Sequence, residues 1–142
     1  MYLEYTYYGL LCRQKLRGHL DTAERRQAQS AIEQGHFLAE HVPSNTDFTL
    51  RFTGYLHLLC GEFVQAIPCL QLVRPQESGI DRLAVDQALF ACYVQTRQFA
   101  KARELLTSGA ATAGVYAHQY EVLLERLAAL EKARPGENRP QN

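Results

Sequence analysis

Residues 54–70 read Gly54-Tyr-Leu-His-Leu-Leu-Cys-Gly61-Glu-Phe63-Val-Gln-Ala66-Ile-Pro-Cys-Leu70. Residues 90–106 read Phe90-Ala-Cys-Tyr-Val-Gln-Thr-Arg97-Gln-Phe99-Ala-Lys-Ala102-Arg-Glu-Leu-Leu106. Phe63 aligns with Phe99, Ala66 with Ala102 and Leu70 with Leu106, each pair 36 residues apart. Self-similarity at a spacing of this size marks a stacked supersecondary unit. The residue types say which unit it is. Gly54, midway along a first helix, lets a second helix approach, and Gly61 permits a tight turn between the two. Phe63 and Phe99 open the second helix and plug the gap beside the turn. Ala66 and Ala102, one turn later, seat it against its partner. The second copy departs at two places: Arg97 stands where the turn glycine is expected, and Phe90 where the small residue is.

Helical periodicity extends outward from these hairpins in both directions. A first helix is expected over about Tyr2–Arg17, with Leu3, Tyr7, Leu10, Leu11 and Leu16 near one stripe and Gly18 as its stop. Asp21 and Thr22 are capping residues for a second helix to His41. Its inner stripe of Ala28, Ala31, Ile32, Gly35, Leu38, Ala39 and Val42 suits close packing. Pro43 ends it. Helices follow over about Phe48–Cys60, Phe63–Val73, Asp81–Gln95, Phe99–Thr107 and Ala113–Lys132. Pro68 is expected to bend the fourth or delay its start. Ser108-Gly109 is expected to close the sixth. The fold class is therefore all-α, a tetratricopeptide-like antiparallel array of about seven helices, three pairs and a C-terminal helix, in one domain over 1–133. Residues 134–142, polar and rich in breakers, are expected to be a disordered tail.

Composition narrows the function classes. Lys plus Arg is 15 and Asp plus Glu is 15, so the chain lacks the basic excess of most nucleic-acid binders. The run Arg13, Lys15, Arg17 is the best basic candidate. No stretch approaches the ~18 apolar residues of a membrane span, and the N-terminus lacks a secretory signal pattern. Cys12, Cys60, Cys69 and Cys92 sit inside apolar helical patterns as small hydrophobes, which suggests a reducing cytoplasm. There is no phosphate-binding glycine loop, no H-E-x-x-H and no nucleophile elbow, so neither an enzyme nor a cofactor is expected. His57 and Cys60, one turn apart, offer half of a zinc site to which Glu40 and His41 add only by accident of folding; no metal is expected.

Gly61-Glu-Phe-Val-Gln-Ala-Ile67 resembles the turn signature of tetratricopeptide repeats, a helix-turn-helix unit of about 34 residues. The chain as a whole resembles a narrower family, the tetratricopeptide chaperones of type III secretion needle or pilin subunits. Three segments carry this: Ala31-Ile-Glu-Gln-Gly-His-Phe-Leu-Ala-Glu-His-Val42, the span Leu50 to Pro75 with its closing Val-Arg-Pro, and Ala84 to Leu106 with Ala-Cys-Tyr in its first helix. With the last helix the likeness covers about Ala28 to Leu127. The Tyr-rich first helix is longer than the family's usual one and points to the plant-pathogen (Hrp-type) versions, virulence proteins of the bacterial cytosol. The resemblance implies a chaperone that keeps a self-polymerising subunit monomeric by holding its amphipathic helix. A small co-chaperone often takes part, and some such proteins bind a regulator of secretion genes.

In stacked helical pairs the first helix of each pair lines the inner surface. That places Phe48, Arg51, Tyr55, Leu58 and Leu59 inward from the third helix, and Ala84, Gln87, Ala91, Val94 and Gln95 from the fifth. Such a groove suits the apolar face of a client helix. Leu58 and Leu59 fit core and groove equally; Phe48 and Tyr55 fit the groove. On this reading Tyr55→Asp removes client binding and preserves helicity. The Tyr2, Tyr5, Tyr7, Tyr8 cluster is either a second partner surface or packing on the second helix. The alternative reading is a general adaptor or regulator-sequestering protein, well behaved when purified alone. A chaperone with an open apolar groove is expected to self-associate without its client.

Overall fold

Helix starts and stops follow from a few local devices in the chain. In the computed structural model, which describes residues 2–133, α1 covers Tyr2–Arg17 and ends at Gly18, whose φ of +85° is the left-handed conformation that glycine adopts without steric cost. Helix α2 covers Thr22–His41 behind a complete capping box. The Glu24 amide donates to Asp21 Oδ1 at 2.8 Å, and the Asp21 amide donates to Glu24 Oε1 at 2.9 Å. The hydrogen bond from the Glu24 backbone N–H holds the Asp21 carboxyl below the usual carboxylate range. Then come α3 (Thr46–Leu59), α4 (Phe63–Val73), α5 (Gly79–Gln95), α6 (Phe99–Ala111) and α7 (Ala117–Lys132), with single 3-10 turns before α3, α5 and α7. The described residues are all-helical and contain no strand, as expected.

The helices gather into two compact units, divided between Glu77 and Ser78. The expected tail, 134–142, lies outside the described residues. Several boundaries differ from the sequence expectation, and the last helix begins at Ala117, four residues later than expected, behind the 3-10 turn Gly114–Tyr116. Helix α3 begins at Thr46, two residues early. Helix α5 begins at Gly79, two residues before the expected Asp81. Helix α6 runs through Ser108 and Gly109 to Ala111. Gly109 is there for proximity: a Cβ on it would run into the Tyr120 ring and stand 2.9 Å from Asp86 Oδ2. Pro68 stands at the sixth position of α4 with its ring exposed, and the helix starts at Phe63 and runs through it without delay or interruption.

In the first unit α3 is central. It packs against α1, α2 and α4, and eight of its 14 residues are buried. Two glycines set the spacing. A Cβ on Gly35 of α2 would overlap Thr53 Oγ1, and one on Gly54 of α3 would lie 2.8 Å from Leu70 of α4. Leu16, expected on the packing stripe of α1, is instead 85 % exposed, because the inward turn of that stripe ends at Leu10. In the second unit α5, α6 and α7 bury Leu89, Leu106 and Leu127 completely. The Tyr120 hydroxyl donates to the buried Asp86 carboxylate at 2.6 Å. Tyr120→Phe removes a bond to a charged group and should cost about 1.5–3 kcal/mol in urea unfolding.

The sequence repeat is also a repeat of backbone geometry. In the α3–α4 turn the Gly61 amide donates to the Leu58 carbonyl at 3.0 Å and the Glu62 amide to the His57 carbonyl at 2.9 Å. In the α5–α6 turn the Arg97 amide donates to Val94 at 3.1 Å and the Gln98 amide to Tyr93 at 2.7 Å. Every donor and acceptor is displaced by the same 36 positions. Gly61 has φ +75° and Arg97 φ +61°, so an arginine occupies the left-handed position that the first copy gives to glycine. Ala66, Leu70, Ala102 and Leu106 are all fully buried. Arg97→Gly relieves the strained conformation and should raise stability by up to ~1 kcal/mol, read from the denaturation midpoint.

Candidate functional site

The expected binding face of α3 is an aromatic patch, and the chain itself covers part of it. Phe52 is its centre: the Phe48 ring lies 4.8 Å away and the Tyr55 ring 5.5 Å. From α1, Tyr7 packs on Tyr55 at 5.2 Å and on Phe52 at 5.9 Å, and Tyr8 meets Phe52 edge-on at 5.9 Å. Spacings of this kind are favourable for tilted and edge-to-face rings. Of the Tyr cluster, Tyr7 and Tyr8 therefore pack on α3. Tyr7 and Tyr55 face inward, while Tyr2, Tyr5 and Tyr8 stay exposed. Burial pushes both the Tyr7 and Tyr55 phenols up. The Arg51 guanidinium stands 5.1 Å from the Phe52 ring centre and 5.6 Å from that of Phe48, and pairs with Glu77 at 3.4 Å. Tyr2, Leu3, Leu38, Phe48 and Thr49 line a small cleft beside the patch.

The ten expected groove residues do not share one environment. Tyr55 is only 7 % exposed and Leu59 9 %, so both belong to the core of the first unit. The Leu59 carbonyl also accepts from Gln14 Nε2 at 3.2 Å, which ties α1 to the end of α3. Phe48, Arg51 and Leu58 are half-buried. On α5, Ala84, Ala91 and Val94 are half-buried, and Gln87 and Gln95 are exposed. The expectation that Tyr55→Asp spares helicity is corrected by this burial: a carboxylate there would stand under Tyr7, out of water. Arg13 and Arg17, the basic candidates of α1, both pair with the buried Glu24.

Comparison of the chain with family models, with curated proteins and with solved structures returns no match.

A second cluster was not legible as such. The Nε2 atoms of His36 on α2 and His57 on α3 lie 2.9 Å apart. Glu62 Oε1 accepts from His57 Nδ1 at 3.0 Å. Cys69 of α4 brings its Sγ to the same place, and the three donor atoms lie within 4.8 Å of one another. His57 and Cys69 are buried and His36 is exposed. Burial and the facing His57 push His36 below the usual imidazole range, and burial pushes the Cys69 thiol up. Cys60, His41 and Glu40, the companions considered from sequence, are not in the cluster. The signal that was available is the pair of close-contact glycines. His36 follows Gly35, and His57 lies one turn beyond Gly54, so both histidines sit beside glycines whose missing side chains admit a neighbouring helix.

The cysteines differ in surroundings. Cys12 is exposed, Cys60 half-buried, and Cys69 and Cys92 buried. Burial pushes the Cys92 thiol up to about 11. Because the thiolate is the reacting form, alkylation of the native protein should label Cys12 first and spare Cys92 until unfolding. Peptide mass spectrometry of a time course checks the order.

Proposed function

We propose that this chain is a cytoplasmic, protein-binding chaperone of the tetratricopeptide-repeat kind that holds a type III secretion needle or pilin subunit by an amphipathic helix, with a small co-chaperone. The observation that carries the reading is the seat of α1. The first helix of the α3–α4 hairpin already accepts a helix through an aromatic face, with Tyr7 laid on Phe52 and Tyr55. That is helix-against-helix recognition by ring packing, the mode a client helix requires. Half-buried Ala84, Ala91 and Val94 on α5, the matching helix of the second hairpin, supply further apolar surface of the right type. No helix of the described residues is long and apolar enough to cross a membrane.

The test is a tagged pull-down of the full chain from its native cell while secretion genes are expressed, read by mass spectrometry. The expected result is a small, helical, polymerising secretion subunit at near-equal stoichiometry. Val94→Asp should then weaken retention of that subunit about tenfold, a change of 1.4 kcal/mol. Leu16→Asp, at a site 85 % exposed on α1, should leave it unchanged. Capture of a transcriptional regulator, or of no secretion component, overturns the chaperone reading.

One observation favours the second reading, a general adaptor or regulator-sequestering protein. The Phe52–Tyr55 surface is covered by α1, so it does not by itself make the isolated chain adhesive. A monodisperse protein in the absence of any client supports that reading.

A further inference from the structure

Three helices of the first unit deliver one donor each to a single point. His36 comes from α2, His57 from α3 and Cys69 from α4, with all donor atoms within 4.8 Å of one another. We propose that these residues form a binding site for a borderline-soft divalent transition metal, zinc in the first instance, with a fourth position open to solvent beside His36.

The donor set decides the class of ion. Two imidazoles and a thiolate suit zinc and its neighbours, whereas calcium and magnesium take oxygen ligands. Tautomer and orientation are set in advance. Glu62 accepts the His57 Nδ1 proton at 3.0 Å, which leaves the Nε2 lone pair facing His36. A carboxylate behind a ligating histidine is the usual outer-shell arrangement, raising ligand basicity and holding the ring in place. The Sγ of Cys69 has otherwise only a weak contact, 3.8 Å from the Gln65 carbonyl.

The spacing is close to what an ion demands. Tetrahedral zinc separates two nitrogens by about 3.3 Å and a nitrogen and a sulfur by about 3.6 Å, given its bond lengths. The imidazoles stand 2.9 Å apart, so they need only part by a few tenths of an ångström. The widest separation in the cluster, 4.8 Å, closes by about 1 Å, a side-chain rotation. The three helices are already close-packed around the site. Gly35 abuts Thr53, and the Cβ of Cys69 lies 3.3 Å from where a Cβ on Gly54 would stand.

Binding has a simple proton balance. The His36 Nε2 proton transfers through water to Nδ1 of the same ring. The Cys69 thiol gives its proton to solvent as the sulfur–metal bond forms. Nothing is oxidised or reduced. The site is independent of the chaperone proposal, since it uses no residue of the proposed client face.

The test is titration of the purified full chain, stripped by chelator, with cobalt(II) and then zinc(II). About one equivalent of cobalt should produce the intense ligand-field bands of a tetrahedral site and a sulfur-to-cobalt charge-transfer band; zinc should abolish both by displacement. Cys69→Ser should remove the charge-transfer band. His36→Ala, at an exposed position, should weaken binding at least ~100-fold, and Glu62→Gln about 10–100-fold. Cys60→Ser and His41→Ala should change nothing. Circular dichroism confirms that each variant is folded, and His36→Ala alone suffices if Cys69→Ser is not. A folded chain with no cobalt spectrum overturns the proposal. So does a sulfur band that survives Cys69→Ser, or affinity that survives His36→Ala.

Discussion

Ala66→Arg is expected to unfold the first unit. Ala66 is fully buried one turn into α4, in the helix that Gly54 lets approach to within 2.8 Å of a would-be Cβ. Arginine there fails on two counts. Overpacking a tight core costs typically 1–3 kcal/mol. An unpaired guanidinium out of water adds several more. The total rivals the whole stability of an ordinary domain, about 5–15 kcal/mol. The same substitution two residues earlier, Val64→Arg, falls at a site 68 % exposed and should stay within about 0.5 kcal/mol of the parent. Far-UV circular dichroism through a urea titration separates the two. Equal behaviour of the pair would refute the hairpin seam.

Tyr55→Asp is the second large effect, and the structure reverses its meaning. The Tyr55 ring lies under Tyr7 and beside Phe52, with 7 % of its surface exposed. Removing it costs what a large-to-small aromatic substitution costs, about 3–5 kcal/mol. The carboxylate left among the rings adds a desolvation penalty or takes up a proton. Loss of helicity is therefore expected, and lost client capture by this variant would say nothing about a binding surface. Tyr5→Asp, 75 % exposed on α1, is the matched control and should leave the urea midpoint within about 0.5 kcal/mol. A Tyr55→Asp protein as stable as the parent would mean that α1 does not sit on α3.

The helices were legible because the signals for them are local. Gly18, the Asp21 cap, Pro43 and the Gly61 turn each act within one or two residues of where they stand. The repeat was legible for the same reason: Phe63, Ala66 and Leu70 recur with their hydrogen-bonding turn intact. Gly109 was misread because a glycine near the end of an apolar stripe has two uses. It can terminate a helix or admit a neighbour, and only the position of Tyr120 distinguishes them. The division at Glu77 has no local marker beyond an ordinary loop. The face of α3 was half legible. Its aromatic character is written in Phe48, Phe52 and Tyr55, but periodicity cannot say that Tyr7, some 50 residues earlier, comes to rest there. The His36–His57–Cys69 cluster was illegible for the same cause. Its members share no motif, and Cys60, the nearer cysteine in sequence, points elsewhere.

The central position of α3 has a consequence for how the protein breathes. Backbone amides exchange with solvent at rates set by the least costly opening that exposes them. An amide in Phe52–His57 is screened by helices on three sides, whereas α1 lies only on the outside of the unit. Labelling in deuterated water should therefore show two regimes. Amides of α1 should exchange through a small, local detachment that leaves the remaining helices intact. Amides in the middle of α3 should wait for the whole unit to open, and their slowest rates are then a direct reading of its global free energy of unfolding.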